Sequence, residues 1–272
     1  MVKGVLHCLS VVLMCSVTLS AGGQHLNAPS LSETFSRHVK SVDELMKRFN
    51  GEEAYPELDT AEVGFREKNL LLLMDFDMSQ VQKKEAMDFI KAVNDNQVKL
   101  SYESPDWIAV ATCLGKYKGK QFKVRLALRT ECIRGNVYRW AICGADGVLG
   151  QIVDTLQRRA ISPTEHEIHF IELQSIFHNE CDDIFGYREE GRTIDPFSVF
   201  FALIHSGAAK METVADLKFV FLEVPGYVFT IEEKARKANN SGWLITEIQR
   251  MNNAEKQQYV RKLTGDINRI TK

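Results

Sequence analysis

Residues 121–132, Gln121-Phe122-Lys123-Val124-Arg125-Leu126-Ala127-Leu128-Arg129-Thr130-Glu131-Cys132, alternate apolar and polar side chains with a period of two. A β-strand sends successive side chains to opposite faces, so Phe122, Val124, Leu126 and Leu128 share one face while Lys123, Arg125, Ala127 and Arg129 share the other. The pattern predicts a sheet with one packed face and one wet face. Working outward, residues 97–103, 107–117 and 137–143 read as further strands. Lys118-Gly119-Lys120 and Arg134-Gly135-Asn136 are short polar glycine turns, so the natural connectivity is an antiparallel meander.

Upstream of the strands the period is helical. Ser30 with Glu33 forms a capping box, and Leu31, Phe35, Val39, Val42, Leu45, Met46 and Phe49 follow at spacings of three and four until Asn50-Gly51. Asp59 with Glu62 and Ser79 with Gln82 repeat the box, predicting helices over about 60–76 and 79–95. Leu70 to Met74 is apolar on every side and fits a buried strand as well as a helix.

The second half repeats the order. Ser162-Pro163-Thr164-Glu165 starts a fourth helix running to about Cys181, and Asp195-Pro196 caps a fifth with Phe197, Phe200, Phe201 and Ile204 on one side. Strands are expected at about 215–224, 227–232 and 242–249, with Pro225-Gly226 at the centre of a type II turn. Asn252 with Glu255 starts a last helix through Tyr259, Val260 and Leu263. Each half ends its strands on Trp-x-Ile, Trp140-Ala141-Ile142 and Trp243-Leu244-Ile245, a match that fits either a degenerate repeat or two tryptophans filling two cores. The fold class expected is α+β. Helices pack on a curved antiparallel sheet in residues 24–150, and a second helices-then-sheet half occupies 151–272.

The chain has 272 residues, 44% hydrophobic and 26% charged, with 34 basic against 36 acidic side chains. That composition excludes a disordered tail, a collagen-like repeat and a disulfide-dense miniprotein, and its near-neutral charge points to neither nucleic acid nor an anionic membrane. Residues 1–23 read as a secretory signal peptide: Lys3, an apolar run from Val5 to Leu19 shorter than a membrane span, then Ser20-Ala21-Gly22-Gly23 at the cut. No later run approaches that length, so the expected mature chain is soluble and exported, periplasmic or extracellular, with no transmembrane segment. Cys113, Cys132, Cys143 and Cys181 remain in it. They allow three disulfide pairings or none, as buried small apolar side chains.

Three helices followed by an antiparallel sheet that closes on Gly135-Asn136-Val137-Tyr138-Arg139-Trp140-Ala141-Ile142 resemble the nuclear transport factor two-like and cystatin-like α+β cone. The signal peptide, the segment from Leu31 to Phe49, the stretch from Tyr117 to Glu131 and Ser162 to Leu173 also resemble exported proteins of gut Bacteroidetes. The resemblance covers about residues 30–145, and residues 162–264 echo it. The cone hosts enzymes, dimerising adaptors and secretion-machinery parts. Its enzymes place an acid and a histidine between helices and sheet, and His38 is the histidine this segment offers besides His25 near the cut.

His166 and His169, three apart on the fourth helix, share a face and suit zinc, with Glu165, His178 or Cys181 as a third ligand, although the zincin spacing is missing. Their alternative is histidines that are solvated or hydrogen-bonded. Asp75 and Asp77 suit either a cation or a helix end. No phosphate-cradling glycine loop and no G-x-S-x-G elbow occur. Asn239-Asn240-Ser241 fits a glycosylation sequon or a turn before the Trp243 strand.

Charge is more informative. Residues 115–140 carry eight basic side chains against Glu131 alone, and residues 165–195 carry nine acidic against Arg188 and Arg192. Either the acidic segment docks on the basic sheet face, or that face binds an anionic partner, or both are solvated surfaces. The reading favoured is a non-enzymatic ligand- or partner-binding module of the cell envelope. Its face is Lys123, Arg125, Arg129 and Arg139, and its partner is a protein, a glycan or a small molecule rather than nucleic acid. The rival is an exported hydrolase or metalloenzyme built on His166 and His169, and a third reading is an envelope component that forms homo-oligomers. The residues name no cofactor.

Overall fold

A computed structural model describes residues 37–75, 77, 79–147, 195–236 and 240–265. In chain order these form β1 (His38–Val39), α1 (Val42–Asn50), α2 (Phe65–Leu73), α3 (Gln80–Asp95), β2 (Trp107–Tyr117), β3 (Lys120–Arg134), β4 (Val137–Asp146), α4 (Pro196–His205), β5 (Ala209–Phe221), β6 (Tyr227–Lys234), β7 (Ser241–Arg250) and α5 (Asn253–Thr264). The class is α+β. The seven strands make one sheet in the order β1-β7-β6-β5-β2-β3-β4, antiparallel except for the short β1 beside β7. The two halves of the sequence each contribute a three-stranded meander, and the pairing of β2 with β5 welds them.

Local chemistry explains the turns. Lys118 and Gly119 both have positive φ, 48° and 76°, between the paired Tyr117 and Lys120. That is the two-residue hairpin whose twist matches the strands, and glycine occupies it without steric cost. Pro225-Gly226 forms the expected turn, closed by the Tyr227 N–H donating to the Val224 carbonyl at 3.1 Å.

β2 is buried on both faces. Trp107, Ala109, Ala111 and Cys113 point to the first face, which α1, α2 and α3 cover on the β5–β7 side and α4 covers on the β3–β4 side through Phe200. The N-terminal helices therefore lie over strands from the far half of the chain as well as β2. A ring stack runs through this core, from Phe49 on α1 to Phe229 at 5.5 Å, Phe221 at 4.8 Å and Trp107 at 5.5 Å. Each fully buried ring contributes about 1.5–3 kcal/mol of apolar transfer. All three tryptophans of the chain meet Phe219: Trp107 at 5.4 Å, Trp140 at 6.1 Å and Trp243 at 5.3 Å.

The second face departs from expectation. It carries α5, whose Tyr259, Val260 and Leu263 pack on Ile108, Val110, Ala127, Val220 and Val228. The face that β3 alone marks as wet is packed at its centre, because β2, β5 and β6 present apolar residues there too.

Three boundaries also differ. The first described helix starts at Val42, where the Ser41 hydroxyl accepts from the Glu44 N–H at 3.1 Å, and Val39, read as helical, is a strand residue paired with Gly242; the box of Ser30 with Glu33 lies outside the described residues. Asp59 does cap a turn, accepting from the Ala61 N–H at 2.9 Å, but α2 begins only at Phe65. Residues 97–103 are not a strand. Asn50 takes the backbone of Leu100 instead, accepting from its N–H at 2.8 Å and donating to its carbonyl at 3.0 Å. Buried Asn69 joins α1, the following loop and α2, donating to the Arg48 and Glu53 carbonyls at 3.1 and 2.7 Å and accepting from the Tyr55 N–H at 3.1 Å. Among the described residues no helix is long and apolar enough to cross a membrane.

Candidate functional cleft

α5 is held by its first turn. Asn252 accepts from the N–H groups of Ala254 and Glu255 at 2.9 and 3.0 Å, and Glu255 reaches back to the Asn252 N–H at 2.7 Å. One turn on, Lys256 occupies a position on the apolar stripe shared with Tyr259, Val260 and Leu263. Its ammonium, on a residue only 9% exposed, donates to the carbonyls of Leu222 and Val224, both at 2.6 Å. The lysine thus pins the helix to the β5–β6 turn, and burial lowers its pKa against the opposing pull of Glu223 and Asp106.

Between that helix, the turn and the second sheet face lies a cleft of about 590 Å³. Asp106 enters it from the loop before β2, Arg129 from β3, Glu223 and Pro225 from the turn, and Asn253, Lys256, Gln257 and Arg261 from α5. Glu223 Oε2 accepts from the Leu222 N–H at 3.1 Å, whereas Oε1 is buried with no hydrogen-bond partner among the described residues. Burial pushes the Glu223 carboxyl up to about 7, and the nearby Asp106 charge adds to the rise against hydrogen bonds from Ser104 and the backbone. Arg129 Nε is likewise buried and unpartnered among those residues. The cleft therefore joins three cationic groups to the Asp106 carboxylate and to one carboxyl that changes charge near neutrality.

The four basic residues singled out from sequence share the second face. Arg139 lies opposite Glu131 in the β3–β4 register, and Lys123 lies opposite Leu114 on β2. Their surroundings separate them. Arg125 pairs with Asp146 and Arg139 with Glu131 at 2.9 Å, both well exposed, and such surface pairs hold about 0–1 kcal/mol each. Arg129 alone of the four lines the cleft. His166, His169, His178, Cys181 and the acidic segment up to residue 194 lie outside the described residues.

Elsewhere the polar candidates have structural partners. Asp75 and Asp77 both grip Arg236, the latter at 2.9 Å, and Asn240 donates to the Leu72 and Met74 carbonyls at 2.8 and 2.5 Å, closing the end of α2. His38 Nδ1 lies 2.9 Å from the Ser241 hydroxyl. Cys113 is buried in the core, and the Cys132 and Cys143 thiols face the Gly135 and Ala127 carbonyls at 3.1 and 3.4 Å. Among the described residues no cluster of histidine, cysteine and acidic side chains has the arrangement of a metal site.

Glu223, Lys256 and Asp106 were not singled out by sequence reasoning. Two signals for them exist: Glu223 is a lone carboxylate in the apolar run Phe219-Val220-Phe221-Leu222-Glu223-Val224, and Lys256 falls on the apolar stripe of its helix. Compared with models of known families, with curated proteins and with solved structures, the chain matches none.

Proposed function

We propose that this chain is an exported, non-enzymatic module that binds a polar small molecule in the cleft between the second sheet face and α5. Export rests on the signal-like residues 1–23. Binding rests on one observation: the cleft is lined by two residues with buried polar atoms, Arg129 Nε and Glu223 Oε1, that have no partner among the described residues. Leaving such an atom unpaired costs about 1–3 kcal/mol, which a ligand offering the complementary group recovers. The lining is recognition chemistry, with guanidinium, ammonium, amide and carboxyl groups around a space of small-molecule size.

A thermal-shift panel of small carboxylates, phosphates, amines and neutral sugars on the full chain tests the reading. A true ligand near 100 times its Kd adds about 2.7 kcal/mol to stability. The shift should disappear in Arg129→Met, which keeps the packing stem and removes the donor. No shift from any compound, or an undiminished one in that variant, would overturn the assignment.

A further inference from the structure

We infer that the cleft takes an oxyanion, the carboxylate or tetrahedral anionic group of a small molecule, among Arg129, Lys256 and Arg261, and that Glu223 takes up a proton as the anion enters. The inference rests on the proposed binding function and specifies its chemistry.

The charge inventory of the cleft decides the sign of the ligand. Arg129 from β3 and Arg261 from α5 are permanently cationic, and Arg129 holds a buried donor without an acceptor. Lys256 spends two of its three donors on the Leu222 and Val224 carbonyls, leaving one N–H and the full charge of the ammonium. Asn253 and Gln257 add amides from the same helix. Against these stand Asp106 from the loop before β2 and Glu223 from the β5–β6 turn. An anion with two or three acceptor oxygens fits the guanidinium donors, and a guanidinium reads such a group with directed bonds.

Glu223 is the obstacle and the switch. Burial already disfavours its charged form and Asp106 adds to this, so its carboxyl is pushed up to about 7. A second anion beside it raises that value further, because like charges in a poorly solvated site cannot both stay ionised cheaply. Near neutrality the proton comes from solvent and lands on Glu223. The protonated carboxyl then turns from a repelling acceptor into a donor toward the ligand. Anion affinity accordingly falls as pH rises above the free carboxyl's value, by up to tenfold per pH unit for one linked proton.

Isothermal titration of the full chain with sulfate and, separately, with succinate tests this, since neither anion titrates between about pH 6.5 and 8.5. Paired buffers of different ionisation enthalpy count the protons. The expected result is saturable binding of at least one anion with net proton uptake near neutral pH, weakening as pH rises. Sulfate alone would mark the preference as tetrahedral and succinate alone as carboxylate. Glu223→Gln should abolish the uptake and flatten the pH dependence. Arg261→Gln, on an exposed helix position, should weaken binding at least tenfold with the melting temperature unchanged, so the inference stays testable even if Arg129 variants fold poorly. Saturable binding without proton uptake would overturn the inference and leave the binding function standing. Binding of neither anion would overturn it as well, and the small-molecule panel then decides the broader reading separately.

Discussion

Replacing Glu223 by glutamine removes a buried charge while keeping the shape and hydrogen-bonding reach of the protonated acid. In the folded chain the carboxyl is raised from its ordinary 4.5 to about 7, chiefly by burial. Between those values the native state holds more protons than the unfolded one, so stability is greatest at the acid end and is lost as pH rises through the folded value. The rise corresponds to about 3 kcal/mol, and partial solvent access around the cleft reduces the expected loss to about 2–3 kcal/mol. The Glu223→Gln chain escapes it. Urea unfolding of both proteins at a series of pH values should therefore show near-equal stability at about pH 4, with the variant about 2–3 kcal/mol more stable above about pH 7.5. For a chain of this size that is a gain of roughly 5–10 °C in melting temperature. A difference that stays constant with pH, or one that favours the wild type at high pH, would mean that Glu223 is not the buried carboxyl that titrates near neutrality.

Lys256→Met keeps the aliphatic stem but deprives the Leu222 and Val224 carbonyls of their donor. Stability should fall by about 1–3 kcal/mol in the same urea assay, and the Glu223 transition should move to higher pH for want of the neighbouring cation. Asn69→Ala strips three hydrogen bonds from a fully buried site and should cost about 2–4 kcal/mol. Gly242→Ala would put a Cβ 2.0 Å from the Val39 carbonyl oxygen, at a residue with φ of 81°. Hydrogen exchange should then show β1 released while β5–β7 stay protected.

The sheet was legible where the decisive information is local. The alternation of residues 121–132, the Pro225-Gly226 turn and the boxes at Ser79 with Gln82 and Asn252 with Glu255 all form as read, because each depends on a few neighbouring residues. What the sequence hid depends on distant partners. Val39 is drawn into a strand by Gly242, two hundred residues away, so it is not part of the helix that its spacing suggests. Leu100 is held by the Asn50 side chain, so its segment needs no strand partner. The welding of both meanders through β2 and β5 spans the whole middle of the chain. The site follows the same division: the basic face of β3 is visible in the alternation, but only the docking of α5 and the β5–β6 turn against Arg129 separates that residue from Arg125 and Arg139.

Arg129, in a cleft closed by α5, is the residue proposed to meet the ligand. The Nε–H resonances of the arginines, followed by NMR through a titration with the anion that calorimetry selects, test it directly. The Arg129 signal should shift saturably, with the calorimetric midpoint, while the ion-paired Arg125 and Arg139 signals stay in place. Saturable shifts confined to Arg125 and Arg139, with Arg129 unmoved, would contradict it.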